Sequence, residues 1–260
     1  MAIILIILFC LIFLFVLEIS NLLVDRNKVY NKNSKYYRFL LNFSTIVTLK
    51  AMRIFVKTSG FEKLPKDGRF LLVANHRSKF DPIIGWWLLR KYDIAYVSKP
   101  SNFDVPLFGR CIRRCCFMPI NREDPREALK TIYGAADLLK NDVVSVGIYP
   151  EGTRNYGEGL LPFHNGIFKT AQIANVPIVV MTTKDTDKIH INFPFKHTDV
   201  RFDVLEVIPA EDIVGHSTKE IGERVRNIML ERLAAYEKEE LEKFKNNSKP
   251  DDDSPAHTAA

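Results

Sequence analysis

His76 and Asp81, with four residues between them in Asn75-His76-Arg77-Ser78-Lys79-Phe80-Asp81-Pro82, are the first pair of side chains in this chain that could do acid–base chemistry. A carboxylate on one imidazole nitrogen fixes the tautomer and leaves the other nitrogen free to take a proton from a hydroxyl. Such a pair is a base rather than a nucleophile. The elements that must hold it are readable on either side. Arg69-Phe70-Leu71-Leu72-Val73-Ala74 is an apolar run with the length of a buried strand. Pro82-Ile83-Ile84-Gly85-Trp86-Trp87-Leu88-Leu89 reads as a helix opened by proline. His76 therefore belongs to a strand-to-helix loop. The same place also suits Asp81 as the cap of that helix, so the spacing alone leaves two uses of the carboxylate open.

A second stretch, Tyr149-Pro150-Glu151-Gly152-Thr153-Arg154, also follows an apolar strand, Val143-Val144-Ser145-Val146-Gly147-Ile148. Two polar loops at strand ends would lie side by side at the carboxyl edge of an open α/β sheet, where such sheets place their ligands. Asn-His-x4-Asp followed by Pro-Glu-Gly-Thr-Arg resembles the glycerolipid acyltransferases, in particular the 1-acylglycerol-3-phosphate acyltransferases. The likeness runs from about Phe70 to Met181. Within it, Cys116-Phe117-Met118-Pro119-Ile120-Asn121-Arg122 and Val176-Pro177-Ile178-Val179-Val180-Met181 match two further family blocks more loosely, with Asn121 where aspartate is usual and Val180 in place of a second proline.

The resemblance implies His76 and Asp81 as catalytic, and Asn75, Lys99, Arg122, Glu151, Gly152, Thr153 and Arg154 as substrate-binding. The planar forks of Arg122 and Arg154 suit paired hydrogen bonds to phosphate oxygens. Gly152 would let the backbone approach a ligand, and Glu151 would either hold the arginines or touch the acceptor. The strand at 176–181 is expected to line the acceptor or acyl pocket, or to be ordinary core. His164, near a helix start, reads as structural.

Composition agrees with one catalytic domain. With 260 residues and 47% hydrophobic content, the chain can bury one sizeable α/β core. The net charge of +6 suits an acidic partner, and because the basic residues form no arginine-rich run, anionic lipid and phosphorylated metabolites are favoured over nucleic acid. Cys10, Cys111, Cys115 and Cys116 form neither paired knuckles nor a disulfide framework, and no histidine lies near the last three. No metal and no cofactor are expected beyond the co-substrate, an acyl-CoA or acyl carrier protein thioester.

The fold class read from this pattern is α/β, a mixed, largely parallel sheet flanked by helices and preceded by a membrane-associated helical pair. Met1 to Leu17 carries no charged side chain, and as a helix it would be roughly 25 Å long at about 1.5 Å per residue. It lacks the basic start and small-residue cleavage site of a signal peptide. Arg26, Lys28, Lys32, Lys35 and Arg38 follow and put that side in the cytoplasm. Tyr37 to Val56 mixes apolar and basic residues, as in a helix lying among lipid headgroups. The expected divisions are anchoring helices over 1–59, a catalytic domain over 60–244 and a disordered tail over 245–260. Strands are expected at Ile189–Phe193 and Val200–Ile208, and a long helix at Ser217–Phe244.

The function implied is transfer of a fatty acyl group to the sn-2 hydroxyl of 1-acylglycerol 3-phosphate (lysophosphatidic acid), giving phosphatidic acid with no acyl-enzyme. Glycerol 3-phosphate or another lysophospholipid as acceptor, or a non-catalytic phospholipid-binding protein, are the alternatives.

Overall fold

The computed structural model describes the backbone of residues 1–247, and the side chains of these except 2, 3, 6, 243, 246 and 247. Its centre is a seven-stranded sheet of β1 (Ile54–Ser59), β2 (Leu71–Ala74), β3 (Ala95–Ser98), β4 (Met118–Pro119), β5 (Val146–Ile148), β6 (Ile178–Lys184) and β7 (Thr198–Ile208), in the order β1-β7-β6-β2-β5-β3-β4. All neighbours are parallel except β6 and β7. The expected mixed, largely parallel sheet is therefore present.

Side-chain alternation along the central strands builds two cores. In β2, Leu72 and Ala74 face the same cluster as Val179 and Met181 of β6, whereas Leu71 and Val73 join Ile178 and Val180 on the other face. The first face is covered by α1 (Ala2–Leu22), α2 (Lys35–Ala51) and α3 (Asp81–Leu88), and the second by α4 (Pro125–Lys140), α5 (Lys169–Ala174) and α7 (Thr218–Asn247). A strand covered on both faces has no polar side to show, which is why Leu71–Ala74 reads as a continuous apolar run. α4 begins where Asp124 accepts the backbone N–H groups of Arg126 and Glu127, with Pro125 supplying a first residue that needs no partner.

Several local expectations are corrected. The second helix stops at Ala51 instead of continuing to Val56, and Ile54–Ser59 is a strand of the sheet, paired along its length with β7. Parallel pairing of every residue from Ile54 to Ser59 supplies partners that a helix end would leave open. Ile189–Asn192 is a short helix, α6, not a strand. Ile178–Met181 are wholly buried, so this strand is core and only the residues beyond it reach the sheet edge. Arg38 does not belong to the exposed basic cluster. It is buried, stacked on Trp86 at 4.5 Å, paired with Asp93 at 3.2 Å and bonded to the carbonyls of Asp93 and Ile94, which ties α2 to the sheet. α7 runs through Asn247, and the rest of the expected tail lies outside the described residues.

The two N-terminal helices do form a pair. Phe43 packs against Phe9 and Phe13, and Tyr37 donates to the carbonyl of Ser20. The lower half of α1 docks on the 107–110 turn, where Glu18 accepts the N–H of Leu107 and Asn21 that of Arg110. The upper half leaves Ile4, Leu5, Leu8, Phe9, Leu11 and Ile12 more than half exposed. Among the described residues no helix is long and apolar enough to cross a membrane.

Candidate active site

Because β2 lies between β6 and β5, the loops leaving the carboxyl ends of these three parallel strands meet. The β2 loop carries His76. Its Nδ1 is 2.8 Å from Asp81 Oδ2, and the same oxygen accepts the backbone N–H groups of Arg77 at 2.6 Å and Ser78 at 2.7 Å. Asp81 is the first residue of α3 yet makes no capping bond, so its side chain turns back to the loop, and the capping use of the carboxylate is overturned. Asp81 has no exposed surface. A buried carboxylate bound by these donors holds His76 as the Nδ1–H tautomer, with Nε2 available as an acceptor.

The imidazole rests on a stack that nothing in the residue spacing announces. Tyr149 lies 4.2 Å from the His76 ring with an interplanar angle of 20°, and Tyr96 lies beneath Tyr149 at 5.6 Å and 6°. Burial raises the Tyr149 phenol well above its ordinary value and raises that of Tyr96, so both rings are uncharged platforms. Room for Tyr96 comes from Gly147, where a Cβ would sit 2.4 Å from the ring.

Glu151 settles into neither use expected of it. One oxygen accepts the N–H of His76 at 2.8 Å and the other that of Leu161 at 2.9 Å, so the carboxylate ties the two loops together. Burial pushes its pKa up, and the two N–H donors offset part of this. The clasp continues with the N–H of Asn155 on the His76 carbonyl at 2.7 Å and the Arg77 guanidinium on the carbonyl of Gly157.

Gly152 adopts a φ of +71°, and a Cβ there would meet His164 Cδ2 at 2.8 Å and lie 3.5 Å from Arg122 Nε. Its missing side chain brings Arg122 and the exposed His164 together at the β5 loop, although the strand before Arg122 is two places away in the sheet. Partial burial lowers the pKa of Arg122 below the ordinary arginine value. Arg154 is exposed, with its guanidinium 5.5 Å over the Tyr156 ring, and Thr153 is exposed beside it. Among the described residues neither arginine makes an ion pair. Lys99 is exposed at the end of β3. Asn75 is buried and bonds both backbone groups of Thr183, so it joins β2 to β6.

A base at the centre of a parallel sheet edge, beside an arginine-bearing loop with a glycine at positive φ, defines a transferase-type α/β site, and the sequence comparisons say which type. Residues 55–184 match the Acyltransferase family, and the chain belongs to it. It is similar to the 1-acyl-sn-glycerol-3-phosphate acyltransferase of Escherichia coli, 29% identical over 180 residues that cover 68% of this chain and 71% of the relative. It also resembles the sheep enzyme of that name, type alpha, at 27% over 222 residues, covering 85% and 75%. Among solved structures, the 1-acyl-sn-glycerophosphate (LPA) acyltransferase of Thermotoga maritima shares the fold with a TM-score of 0.64, at 21% identity over 78% of this chain and 80% of that one.

Proposed function

We propose that this acyltransferase moves a fatty acyl group from a thioester, acyl-CoA or acyl carrier protein, to the sn-2 hydroxyl of 1-acylglycerol 3-phosphate, and that His76 is the general base. The observation that carries the mechanism is the 2.8 Å contact of His76 Nδ1 with the wholly buried Asp81. Nε2 takes the proton of the acceptor hydroxyl as its oxygen attacks the thioester carbonyl. The tetrahedral intermediate collapses by breaking the carbon–sulfur bond, and the imidazolium returns the proton to the departing thiolate. Direct transfer agrees with the cysteines. Burial pushes the thiols of Cys111 and Cys115 up to about 12 and that of Cys116 up to about 11, far from the thiolate an acyl-enzyme would need.

Arg122 and Arg154, with Gly152 and Thr153 between them, are proposed to hold the phosphomonoester, and Lys99 to add positive charge at the same edge. The names of the relatives support this choice of acceptor. Removing one partner of a charge-assisted contact costs about 1.5–3 kcal/mol, or roughly ten- to more than a hundredfold. Arg122→Ala and Arg154→Ala should each raise KM for lysophosphatidic acid by about that factor and leave KM for the thioester nearly unchanged. Steady-state kinetics with each substrate varied in turn decide this. A defect confined to the acyl donor would assign the arginines to the donor's phosphates.

The helical pair, as the expected anchoring unit, is proposed to sit in one leaflet with its basic side toward the cytoplasm. The exposed apolar side chains of α1 support this, as do Arg26, Lys28, Lys32 and Lys35 in the segment after it. Transferring a large apolar side chain out of water contributes roughly 1.5–3 kcal/mol. Aspartate at Ile4, Leu8 and Leu11 together should therefore lower sedimentation with phospholipid vesicles by roughly 10²-fold or more, without loss of helical circular dichroism. Unchanged sedimentation would place the contact elsewhere.

A further inference from the structure

The loop leaving β6 grips the loop of the base from the side opposite Glu151. Asn75 holds Thr183 by two hydrogen bonds, the Arg77 guanidinium lies 3.4 Å from Asp187, and the Thr186 hydroxyl donates to Asp81 Oδ1 at 2.5 Å. Thr186 is wholly buried. While Asp81 Oδ2 receives three donors, Oδ1 has no polar partner but Thr186 among the described residues.

We propose that Thr186 is a positioning residue for the acyl-transfer reaction, its hydroxyl holding the Asp81 carboxylate in the orientation that serves His76. A buried carboxylate oxygen stripped of its donor has no water to replace it. The carboxylate then either turns so that Oδ1 competes for the backbone N–H groups, which disturbs its bond to the imidazole, or draws the imidazole proton more strongly through Oδ2. The first loses orientation of the base. The second keeps the base protonated to higher pH. Other ionisable groups facing this pair are Glu151 at the His76 N–H, Arg77 with Asp187, and the protonated phenols of Tyr149 and Tyr96. None of them contacts Asp81 Oδ1.

The role rests on His76 being the base, so His76→Ala is measured alongside. Thr186→Val keeps the volume and removes the hydroxyl. It is expected to lower kcat by about tenfold, to leave KM for thioester and acceptor within about twofold, and to move the acidic limb of the kcat–pH profile to higher pH. Thr186→Ser restores the hydroxyl and should bring kcat and the limb back to within about twofold of wild type. A serine variant as impaired as the valine one would mean that the methyl group matters, and would overturn the role. So would a valine variant with wild-type kcat and an unmoved limb. If the valine protein does not fold, alanine and serine at the same position give the same comparison: alanine impaired with a shifted limb supports the role, and equal behaviour overturns it. Full turnover by His76→Ala would refute the base itself, whereas an inert His76→Ala beside an unaffected Thr186→Val would refute only the role of Thr186.

Discussion

Substituting His76 by alanine is expected to lower kcat about 10²–10⁴-fold, the contribution of a positioned general base, while leaving the thermal transition close to wild type. Stability should hold because the side chain is 18% exposed and its partners keep other bonds: Asp81 retains Arg77, Ser78 and Thr186, and Glu151 holds the His76 backbone rather than its ring. Asp81→Asn should be less complete in its loss of turnover, since an amide can still meet the imidazole but no longer favours its protonated form. Both are read as single-turnover acyl transfer to lysophosphatidic acid with circular dichroism as the control. Wild-type turnover by His76→Ala would remove the mechanism and leave the fold untouched.

The second large effect is on stability and lies on α7. Asp203 of β7 is 2% exposed and accepts hydrogen bonds from Arg232 at 2.7 and 3.0 Å and from Tyr236 at 2.8 Å, while Arg232 and Arg201 both reach Glu239. Removing one partner of a buried charge pair strands the other, so Asp203→Ala should cost about 3–5 kcal/mol in urea unfolding and loosen the C-terminal helix from the sheet. Burial pushes the Asp203 carboxyl up, but bonds from Arg232, Tyr236 and Ser59 outweigh it and hold the pKa below the ordinary aspartate value. A depressed carboxylate stabilises the fold fully above its unfolded value of about 3.9, and that stability is lost as pH falls through the lower folded value. The gap between wild type and Asp203→Ala should accordingly be constant from pH 5 to 7, to within about 0.5 kcal/mol, and close below about pH 4. A gap unchanged in acid would mean that packing, and not charge, accounts for the loss.

Much of the catalytic centre is legible in the amino-acid sequence because its chemistry is local. Asn75 to Asp81 is one short loop between a strand that must be apolar on both faces and a helix that starts with proline, so the strand, the turn and the spacing all show in the chain. The block from Tyr149 to Arg154 is legible for the same reason. Glu151 shows the limit: its residue type suggests charge chemistry, yet its two bonds go to N–H groups ten residues ahead of it and on another strand's loop. Tyr149 and Tyr96 likewise give no periodic sign of stacking under the imidazole, because ring contacts across strands depend on which strands are neighbours.

The errors have the same origin. Ile54–Ser59 is amphipathic enough to continue a helix, and only its pairing with β7, far along the chain, makes it a strand. Asp81 could cap α3 by position, but the N–H groups of Arg77 and Ser78 and the hydroxyl of Thr186 compete for it and win. The amino-acid sequence by itself determined the α/β class, the His/Asp base and the arginine-bearing loop, since each is written in residues close together. Tertiary structure alone decided the sheet order that puts β6, β2 and β5 side by side, the approach of Arg122 to Gly152 and the grip of Thr186 on Asp81. These contacts join residues distant in the chain, and their energies depend on burial and orientation that only the folded sheet creates.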